Sequence, residues 1–376
     1  MALFEPKFSI TSSMAANLMV IQKAATIVDT LPLPTSLLKD LQKQSRESTV
    51  LLSTKIEGNR MSEPAKRQAM YQRGEGTDQQ EVYNLAKALE FLDDCEKRGL
   101  PITEDLIKKL HAIIRVIPYG RRPKASEYRT EPVQVGERNH VNWYLPPEWQ
   151  DVPQLMNDLV AWVNSPACAA LPAPVQAAIF MWQFLTIHPY TDGNGRTARM
   201  LATYILRRAG LGLKGLFVLE SYYDRDIDAY YDNLQMGLHH NYYFGRNSAD
   251  LTQWIEFFLR GLAEVFSEAA RAVQERSSEY TRVEPPLLRD LDPQQRIVFA
   301  QLAFRFNWLT TTDLRRLLGI ADRTVRGKVR KWIDEGFLVP RDEHAERVRS
   351  VMLGPKYQKL AQQVLRDPER YRYLLR

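Results

Sequence analysis

The chain has 376 residues, of which 44% are apolar and 26% are charged, and its net charge is +6. This composition is typical of a globular protein with two or three domains, and it excludes a disordered or fibrous chain. The only two cysteines, Cys95 and Cys168, predict neither a disulfide framework nor a zinc cluster. The first residues lack a signal-peptide pattern, and no apolar run reaches the roughly 20 residues that cross a bilayer, so we expect a cytoplasmic protein without membrane contacts.

The first elements predicted in chain order are helices. Ser53 and Glu57 lie four residues apart and therefore share one face of a helix. Gly58 is a residue type that commonly ends a helix, which places Glu57 in the last turn. Glu81–Lys97 has the apolar spacing of an amphipathic helix. We predict a helical region over residues 1–110.

The clearest hairpin pattern follows this region. Its first strand is predicted at Pro132–Val135, of which the last three residues are Val133, Gln134 and Val135. Gly136 and a polar turn come next, and Val141–Leu145 is the predicted return strand.

The most informative stretch is His188–Arg199, with the sequence HPYTDGNGRTAR. Val175–Ile187 is apolar and favours a helix, which Pro189 stops just after His188. Arg196–Arg208 is predicted as a second helix. At a helix N-terminus, free N–H groups and the positive end of the dipole bind anions. The turn between the helices delivers three residues to that N-terminus: Gly193, Asn194 and Gly195.

The charged side chains of this stretch suit a nucleotide polyphosphate. Arg196 and Arg199 are three residues apart, so their side chains project from the same side of the first helical turn. Asp192 would repel a bare phosphate, so we predict that it holds a divalent cation, magnesium, against the phosphates. His188 is then the candidate for moving a proton near neutral pH. Neither a P-loop nor a Rossmann fingerprint is present. An ordinary turn beside solvated arginines is the alternative.

These residues resemble the Fic (filamentation induced by cAMP) family motif, HPFx[D/E]GNGRxxR, with Tyr190 where Phe is usual. The resemblance covers roughly residues 45–265 and implies a mainly α protein, with a helical core over residues 111–265 and a small β-hairpin flap. Fic enzymes typically transfer AMP from ATP to a Ser, Thr or Tyr hydroxyl of a target protein. The resemblance therefore implies a protein adenylyltransferase that uses ATP and Mg²⁺ and modifies an unknown target protein or itself.

Carried over residue by residue, the resemblance makes His188 the base that deprotonates the target hydroxyl. Asp192 is the implied Mg²⁺ ligand. The implied phosphate ligands are Gly193, Asn194, Gly195, Arg196 and Arg199. Removal of AMP, or transfer of another phosphate-containing group, would use the same His188 and stays open.

Ser53–Asn59 resembles the inhibitory motif of the family, [S/T]xxxE[G/N], placed before the catalytic core as in class II members. The resemblance makes Ser53, Glu57 and Gly58 inhibitory residues. It implies that Glu57 pairs with Arg199 and occupies the charge site meant for the γ-phosphate. An ordinary solvated helix glutamate is the alternative. Some relatives use the same glutamate to remove AMP, so that activity is not excluded.

Two further roles follow from the resemblance. Fic enzymes hold their target by adding a strand to the flap, so Val133, Gln134 and Val135 are implied target-docking residues, with a purely structural hairpin as the alternative. Ser221–Leu234 resembles the family helix that closes over the adenine, which makes Tyr231 a candidate nucleotide contact, with a core role as the alternative. Many Fic proteins dimerise, so a homodimer stays open.

The C-terminal quarter is predicted as a separate unit. Ser277–Pro286 is polar and ends in two prolines, so residues 266–286 are predicted as a helix end and a linker. Residues 287–376 resemble a winged helix-turn-helix followed by a basic terminal helix at Gln358–Arg376. The three predicted helices and two wing strands are Gln294–Phe304, Thr310–Leu318, a helix from Asp322 or Thr324 to Glu335, Phe337–Val339 and Val348–Leu353.

The third helix of this unit has a buried stripe and a basic remainder. The stripe is Val325, Val329, Trp332 and Ile333, and the basic residues are Arg323, Arg326, Lys328, Arg330 and Lys331. Such a helix suits phosphate contacts in a DNA major groove. The modest net charge and the acidic residues Asp342, Glu343 and Glu346 favour a protein-binding module instead. A DNA partner and a protein partner both stay open, and the rival function is a DNA-binding regulator whose Fic core senses nucleotide.

Overall fold

A computed structural model describes residues 4–31, 33, 35–117, 124–136, 143–283, 285–342, 348–366, 371 and 374. The chain divides into two compact units. The first comprises Met1–Leu31 and Asp40–Val273, and the second comprises Pro32–Lys39 and Gln274–Arg376. The fold is mainly α, as predicted. Over the described ranges, no helix is both long and apolar enough to cross a membrane.

Twelve helices of the described residues lie wholly or mainly in the first unit. They are α1 (Ser12–Thr30), α2 (Thr35–Ile56), α3 (Glu63–Ala69), α4 (Thr77–Lys97), α5 (Glu104–Ile114), α6 (Val152–Val163), α7 (Pro166–Ala169), α8 (Ala173–Ile187), α9 (Asn194–Arg208), α10 (Glu220–Arg225), α11 (Ile227–Gln235) and α12 (Thr252–Val283). Two short 3₁₀ turns, Leu213–Gly215 and Arg246–Ser248, complete the list.

Helix α8 forms the centre of this unit because its sequence is apolar on all sides. The indole Nε1 of Trp254 donates a hydrogen bond of 2.8 Å to the carbonyl of Ala178, which fastens α12 to α8. Helix α9 is apolar on one face only. The apolar residues of that face include Ala198, Leu201, Ala202 and Ile205, which are all buried. The end of α8 and the start of α9 are thus held rigidly, and the motif turn lies between them.

Several predicted boundaries were wrong. Helix α9 begins at Asn194 and α4 begins at Thr77, each earlier than expected. The helix predicted at Ser221–Leu234 is broken into α10 and α11 at Asp226, whose side chain accepts a hydrogen bond of 2.9 Å from the backbone N–H of Ala229. Residues 277–283, predicted as linker, continue α12, because the stretch from Ser277 to Pro285 contains no glycine or proline before Pro285 itself.

The second unit contains α13 (Pro286–Arg289), α14 (Pro293–Phe304), β1 (Leu309–Thr310), α15 (Thr311–Leu318), α16 (Asp322–Asp334), β2 (Leu338–Pro340), β3 (Ser350–Leu353) and α17 (Pro355–Leu365). The strands form an antiparallel sheet in the order β1-β3-β2, with Leu309 opposite Val351 and Leu338 opposite Leu353. Helix α17 begins at Pro355, before the predicted start at Gln358, and ends at Leu365, so it does not continue to Arg376; most of residues 367–376 lie outside the described residues.

The core of the second unit includes the stripe predicted for α16. Val325, Val329 and Trp332 are buried, and Ile333 packs against them. Thr310 and Asp313 form a reciprocal capping box at the start of α15, and Gly319, with φ 64°, ends that helix. The wing residues Glu343 and Glu346 lie outside the described residues. The winged-helix assignment stays a prediction.

Candidate active site

The backbone at His188 is held in an unusual conformation where α8 ends. His188 is the C-cap residue, with φ 50° and ψ 60°, a left-handed conformation that few residues other than glycine adopt. Its backbone N–H donates a hydrogen bond of 3.0 Å to the carbonyl of Phe184. The chain therefore turns sharply at the imidazole, and Pro189 prevents the helix from continuing.

A buried arginine fixes this turn. Arg129 is 5% exposed, and its Nε donates a hydrogen bond of 2.9 Å to the carbonyl of His188. Its backbone N–H donates to the carbonyl of Pro189 at 2.9 Å, and its guanidinium also bonds the carbonyl of Pro147. The sequence analysis missed this role, since the partners are backbone groups of Pro147 and of the distant residues His188 and Pro189, which no sequence pattern indicates.

The motif turn is closed by the side chain of Asn194. Its Oδ1 accepts a hydrogen bond of 3.0 Å from the N–H of Tyr190, and its Nδ2 donates one of 2.8 Å to the carbonyl of the same residue. Gly193 caps α9 with φ 77°, and its carbonyl accepts from the N–H and hydroxyl of Thr197. The first N–H groups of α9 have no acceptor within the helix. Asn194 thus offers a ligand its backbone N–H rather than its side chain.

A second histidine, which the sequence analysis missed, supports the turn from behind. The Nε2 of His111 lies 2.8 Å from the carbonyl of Asp192 and donates to it, and its Nδ1 accepts from the hydroxyl of Ser126 at 2.7 Å. Its ring stacks on Tyr190 with 3.5 Å between ring centroids. Burial lowers the pKa of His111 to about 4, so the ring is neutral and positions the loop. The hydroxyl of Tyr190 is buried without a hydrogen-bond partner among the described residues.

Arg196 lies buried between two carboxylates. Its side chain is 2% exposed, and its Nη2 donates hydrogen bonds of 3.0 Å to both oxygens of Asp192. Its Nη1 lies 3.2 Å from Oε1 of Glu81, a charge contact without hydrogen-bond geometry. Within the part of the chain that the structure describes, its Nε and Nη1 find no hydrogen-bond acceptor. Buried donors left in this state are expected to serve a ligand.

The structure brings Arg199 against the predicted inhibitory motif. Nε of Arg199 donates to the hydroxyl of Ser53 at 3.0 Å, and Nη2 donates to the Ser53 carbonyl at 3.1 Å and to Oε1 of Glu57 at 2.9 Å. The side chain of Arg199 is 2% exposed and that of Glu57 is 23% exposed. A Cβ on Gly195 would lie 2.2 Å from Oε1 of Glu57, so only glycine lets the carboxylate approach.

The end of α2 is shaped by a Schellman motif at Gly58. The N–H of Gly58 bonds the carbonyl of Lys55 at 2.9 Å, and that of Asn59 bonds the carbonyl of Thr54 at 3.1 Å. Gly58 has φ 88°. Glu57 is therefore the C-cap residue, just beyond the last helical residue Ile56. This geometry aims its side chain at the start of α9.

The pKa values follow from burial and from these pairs. Burial alone would lower the pKa of Arg199, but the Glu57 carboxylate raises it above its usual value. Burial raises the pKa of Glu220, which also interacts with Arg199. Burial lowers the pKa of His188 to about 4, well below the neutral range expected from the sequence. The backbone of Leu185 beside the ring opposes this lowering of the pKa but does not outweigh the burial.

The remaining predicted site residues lie in two further places. Tyr231 is 37% exposed on α11, whereas its neighbour Tyr230 is 1% exposed and hydrogen-bonds Arg199. In the predicted flap, a single antiparallel bridge of the described residues joins Val135 to Tyr144. The turn at 137–142, including the start of the predicted return strand, lies outside the described residues. Val133 and Gln134 belong to neither a described strand nor a bridge.

The donor set fits a nucleotide polyphosphate with a magnesium ion. Two buried donors of Arg196 and the N-terminal amides of α9 would take phosphate oxygens. Asp192, whose side chain is 65% exposed, is a hard oxygen ligand beside them, which suits Mg²⁺ held jointly by a carboxylate and phosphates.

Comparison with known proteins agrees with this geometry. Residues 101–206 match the Fic/DOC family. The chain is 31% identical over 180 residues to "Protein adenylyltransferase Fic" of Drosophila virilis, covering 46% of this chain and 36% of that protein. The corresponding Drosophila melanogaster protein is 29% identical over 178 residues, covering 46% of this chain and 35% of that one. The chain thus spans about a third of the length of these curated relatives.

Solved structures share the fold. A Fic family protein from Desulfovibrio desulfuricans G20 has a TM-score of 0.60 at 21% identity, covering 94% of this chain and 99% of the other. Fic-1 (residues 134–508) from C. elegans has a TM-score of 0.53 at 23% identity, covering 71% and 73%. The chain therefore carries a domain of the Fic/DOC family, formed by residues 101–206.

Proposed function

We propose that the protein is a self-inhibited adenylyltransferase that moves AMP from ATP to a hydroxyl side chain of a target protein or of itself. The observation that carries the proposal is the neutral imidazole of His188 in the same turn as an anion site, whose buried Arg196 donors have no hydrogen-bond acceptor among the described residues. The names of the Drosophila relatives support the same activity.

The chemistry assigns a role to each group. The target hydroxyl gives its proton to the unprotonated ring nitrogen of the neutral His188, and its oxygen attacks the α-phosphorus of ATP. The new O–P bond forms as the bond between the α-phosphorus and the bridging oxygen breaks, and pyrophosphate leaves. Arg196, Arg199 and the amides of α9 neutralise the leaving group. Mg²⁺ at Asp192 would supply further charge neutralisation when bound.

Self-inhibition is proposed from the contact of Glu57 with Arg199. A carboxylate 2.9 Å from Nη2 occupies the donor that a γ-phosphate would need. ATP can bind in the productive pose only after this largely buried pair separates. The free energy of that separation weakens ATP binding, because the carboxylate already neutralises the guanidinium. Removing the carboxylate is expected to release activity.

The test uses purified protein with α-³²P-ATP and Mg²⁺. Three forms are compared: wild type, Glu57→Gly, and Glu57→Gly with His188→Ala. We expect label on the protein itself that is strongest in the Glu57 variant and absent from the double variant. A parallel reaction with γ-³²P-ATP should give no label, because pyrophosphate leaves. Label from the γ-phosphate would contradict AMP transfer. No label in any form, with ATP binding demonstrated, would favour AMP removal or nucleotide sensing.

A second candidate function is DNA binding by the second unit, in keeping with the predicted winged helix. Arg323, Arg326 and Arg330 are all exposed on α16, whose opposite side is buried. The test measures binding of duplex DNA by the full chain at several salt concentrations, with wild type and a variant in which these three arginines are alanine. Affinity that falls steeply with salt and is lost in the variant supports this candidate. Salt-independent or absent binding would favour a protein partner.

A further inference from the structure

Glu81, on α4, joins the end of the inhibitory helix to the catalytic turn. Its Oε2 accepts a hydrogen bond of 2.9 Å from Nδ2 of Asn59, the residue after Gly58. Its Oε1 lies 3.2 Å from Nη1 of Arg196. The side chain of Glu81 is 15% exposed, so both contacts are made with little water around them.

A buried polar cluster fixes the orientation of the Glu81 carboxylate. Asn59 is 6% exposed, and its Nδ2 also donates to the carbonyl of Asp78 at 2.9 Å. Its own carbonyl accepts from Nζ of Lys66 at 3.2 Å, and Lys66 is 3% exposed. Held in this way, Glu81 has little freedom to follow Arg196 if that side chain moves.

Two carboxylates share the single charge of Arg196. Asp192 takes two hydrogen bonds from Nη2 and is 65% exposed, whereas Glu81 contacts Nη1 from the buried side. Asp192 is also the residue assigned to Mg²⁺. Glu81 and Asp192 repel each other because both are negative, so the Glu81 charge offsets part of the attraction between Arg196 and Asp192.

We propose that Glu81 is a positioning residue that holds Arg196 and thereby leaves Asp192 available to Mg²⁺. The inference rests on the proposed nucleotide site. Without the Glu81 charge, Arg196 binds Asp192 more strongly, and the metal must compete with that ion pair. The same loss removes one negative charge from beside the phosphate site, so ATP without metal binds more tightly. The change thus weakens Mg²⁺ binding but strengthens metal-free ATP binding, whereas general damage to the site would weaken both kinds of binding.

The experiment measures ATP binding, which does not depend on turnover. All variants carry Glu57→Gly, to open Arg199, and His188→Ala, to prevent transfer. In this background, Glu81→Gln is compared with the unmodified residue by equilibrium dialysis of ATP, first without metal and then across a Mg²⁺ titration. Gln keeps the size of the side chain and an oxygen that accepts from Asn59. Glu90→Gln is the matched control, since Glu90 lies on the same helix in an exposed pair with Lys87.

Glu81→Gln is expected to raise the Mg²⁺ concentration for half-maximal metal-dependent ATP binding about fivefold and to tighten metal-free ATP binding about twofold. Glu90→Gln should change neither quantity. An unchanged Mg²⁺ requirement, or a loss of ATP affinity under both conditions, would overturn the positioning role. Because binding is read separately from labelling, a failure of the transfer reaction would leave this result intact and interpretable.

Discussion

Replacing Glu57 with Gln should destabilise the nucleotide-free protein and increase the stabilisation that ATP provides. Gln preserves the size of the side chain and an acceptor for Nη2 of Arg199, but it removes the charge. Breaking a fully buried pair costs about 3–5 kcal/mol, and a hydrogen bond to a charged group contributes about 1.5–3 kcal/mol. Glu57 is 23% exposed, and Ser53 still bonds the guanidinium. We therefore expect a loss of about 2 kcal/mol.

The assay is scanning calorimetry in a His188→Ala background, with and without ATP and Mg²⁺. A loss of about 2 kcal/mol lowers the midpoint of the ATP-sensitive transition by about 4–8 °C for a unit of this size. ATP at about 100 times its Kd adds about 2.7 kcal/mol to the free energy of unfolding. At a fixed ATP concentration, the free energy of unfolding should rise more in the variant than in the protein with Glu57. In the protein with Glu57, ATP must first displace the carboxylate.

The matched control is Lys55→Gln, near the end of α2, where the side chain is 61% exposed in a pair with Asp224. An exposed pair contributes about 0–1 kcal/mol, so the midpoint of this variant should stay within about 4 °C of the parent. Equal midpoints with and without the Glu57→Gln change, or equal stabilisation of the two proteins by ATP, would refute the argument that the carboxylate occupies a phosphate site.

Three further predictions concern groups beside the turn. Self-labelling by the Glu57→Gly variant should rise with pH through about 4 and stay level to pH 7, because His188 accepts a proton only when neutral; a pH–rate profile with its midpoint near 6.5 would contradict this. Tyr190→Phe should raise the free energy of unfolding by about 1 kcal/mol, measured in urea, because it removes a buried hydroxyl that has no partner in the described part of the chain. His111 takes up a proton on unfolding between pH 6.5 and about 4, so about 3 kcal/mol of stability should be lost as the pH falls through that range. Urea unfolding at pH 7 and at pH 4.5 should show that His111→Gln loses less of its free energy of unfolding between these two pH values than the parent does.

The sequence predicted the helices on both sides of the motif because their signals are local. Apolar residues at helical spacing, Pro189 after His188 and Gly193 before α9 act within a few residues of where they stand. The pairing of Glu57 with Arg199 was anticipated only through a family resemblance, since the two residues lie 142 positions apart. The geometry agrees with that expectation, and its inhibitory role stays a proposal.

What the sequence could not supply was the set of buried polar groups behind the turn. Arg129, His111 and Glu81 each bond a group far away in the chain, and each belongs to an ordinary-looking segment. The pKa of His188 was misjudged for the same reason, because burial depends on what packs around the ring. Polar residues 277–283 looked like a linker although they lack any helix-breaking residue.

At His188, the left-handed backbone makes the residue proposed for activity a cost to stability. A residue with a Cβ in this conformation costs roughly 1–2 kcal/mol relative to glycine, and Arg129 helps to keep it there through the carbonyl bond described above. His188→Gly would relieve that strain while deleting the proposed base. A selection for thermostability that does not test labelling would therefore enrich glycine at position 188, and with it inactive proteins. At a position with ordinary backbone geometry, no enrichment of glycine is expected.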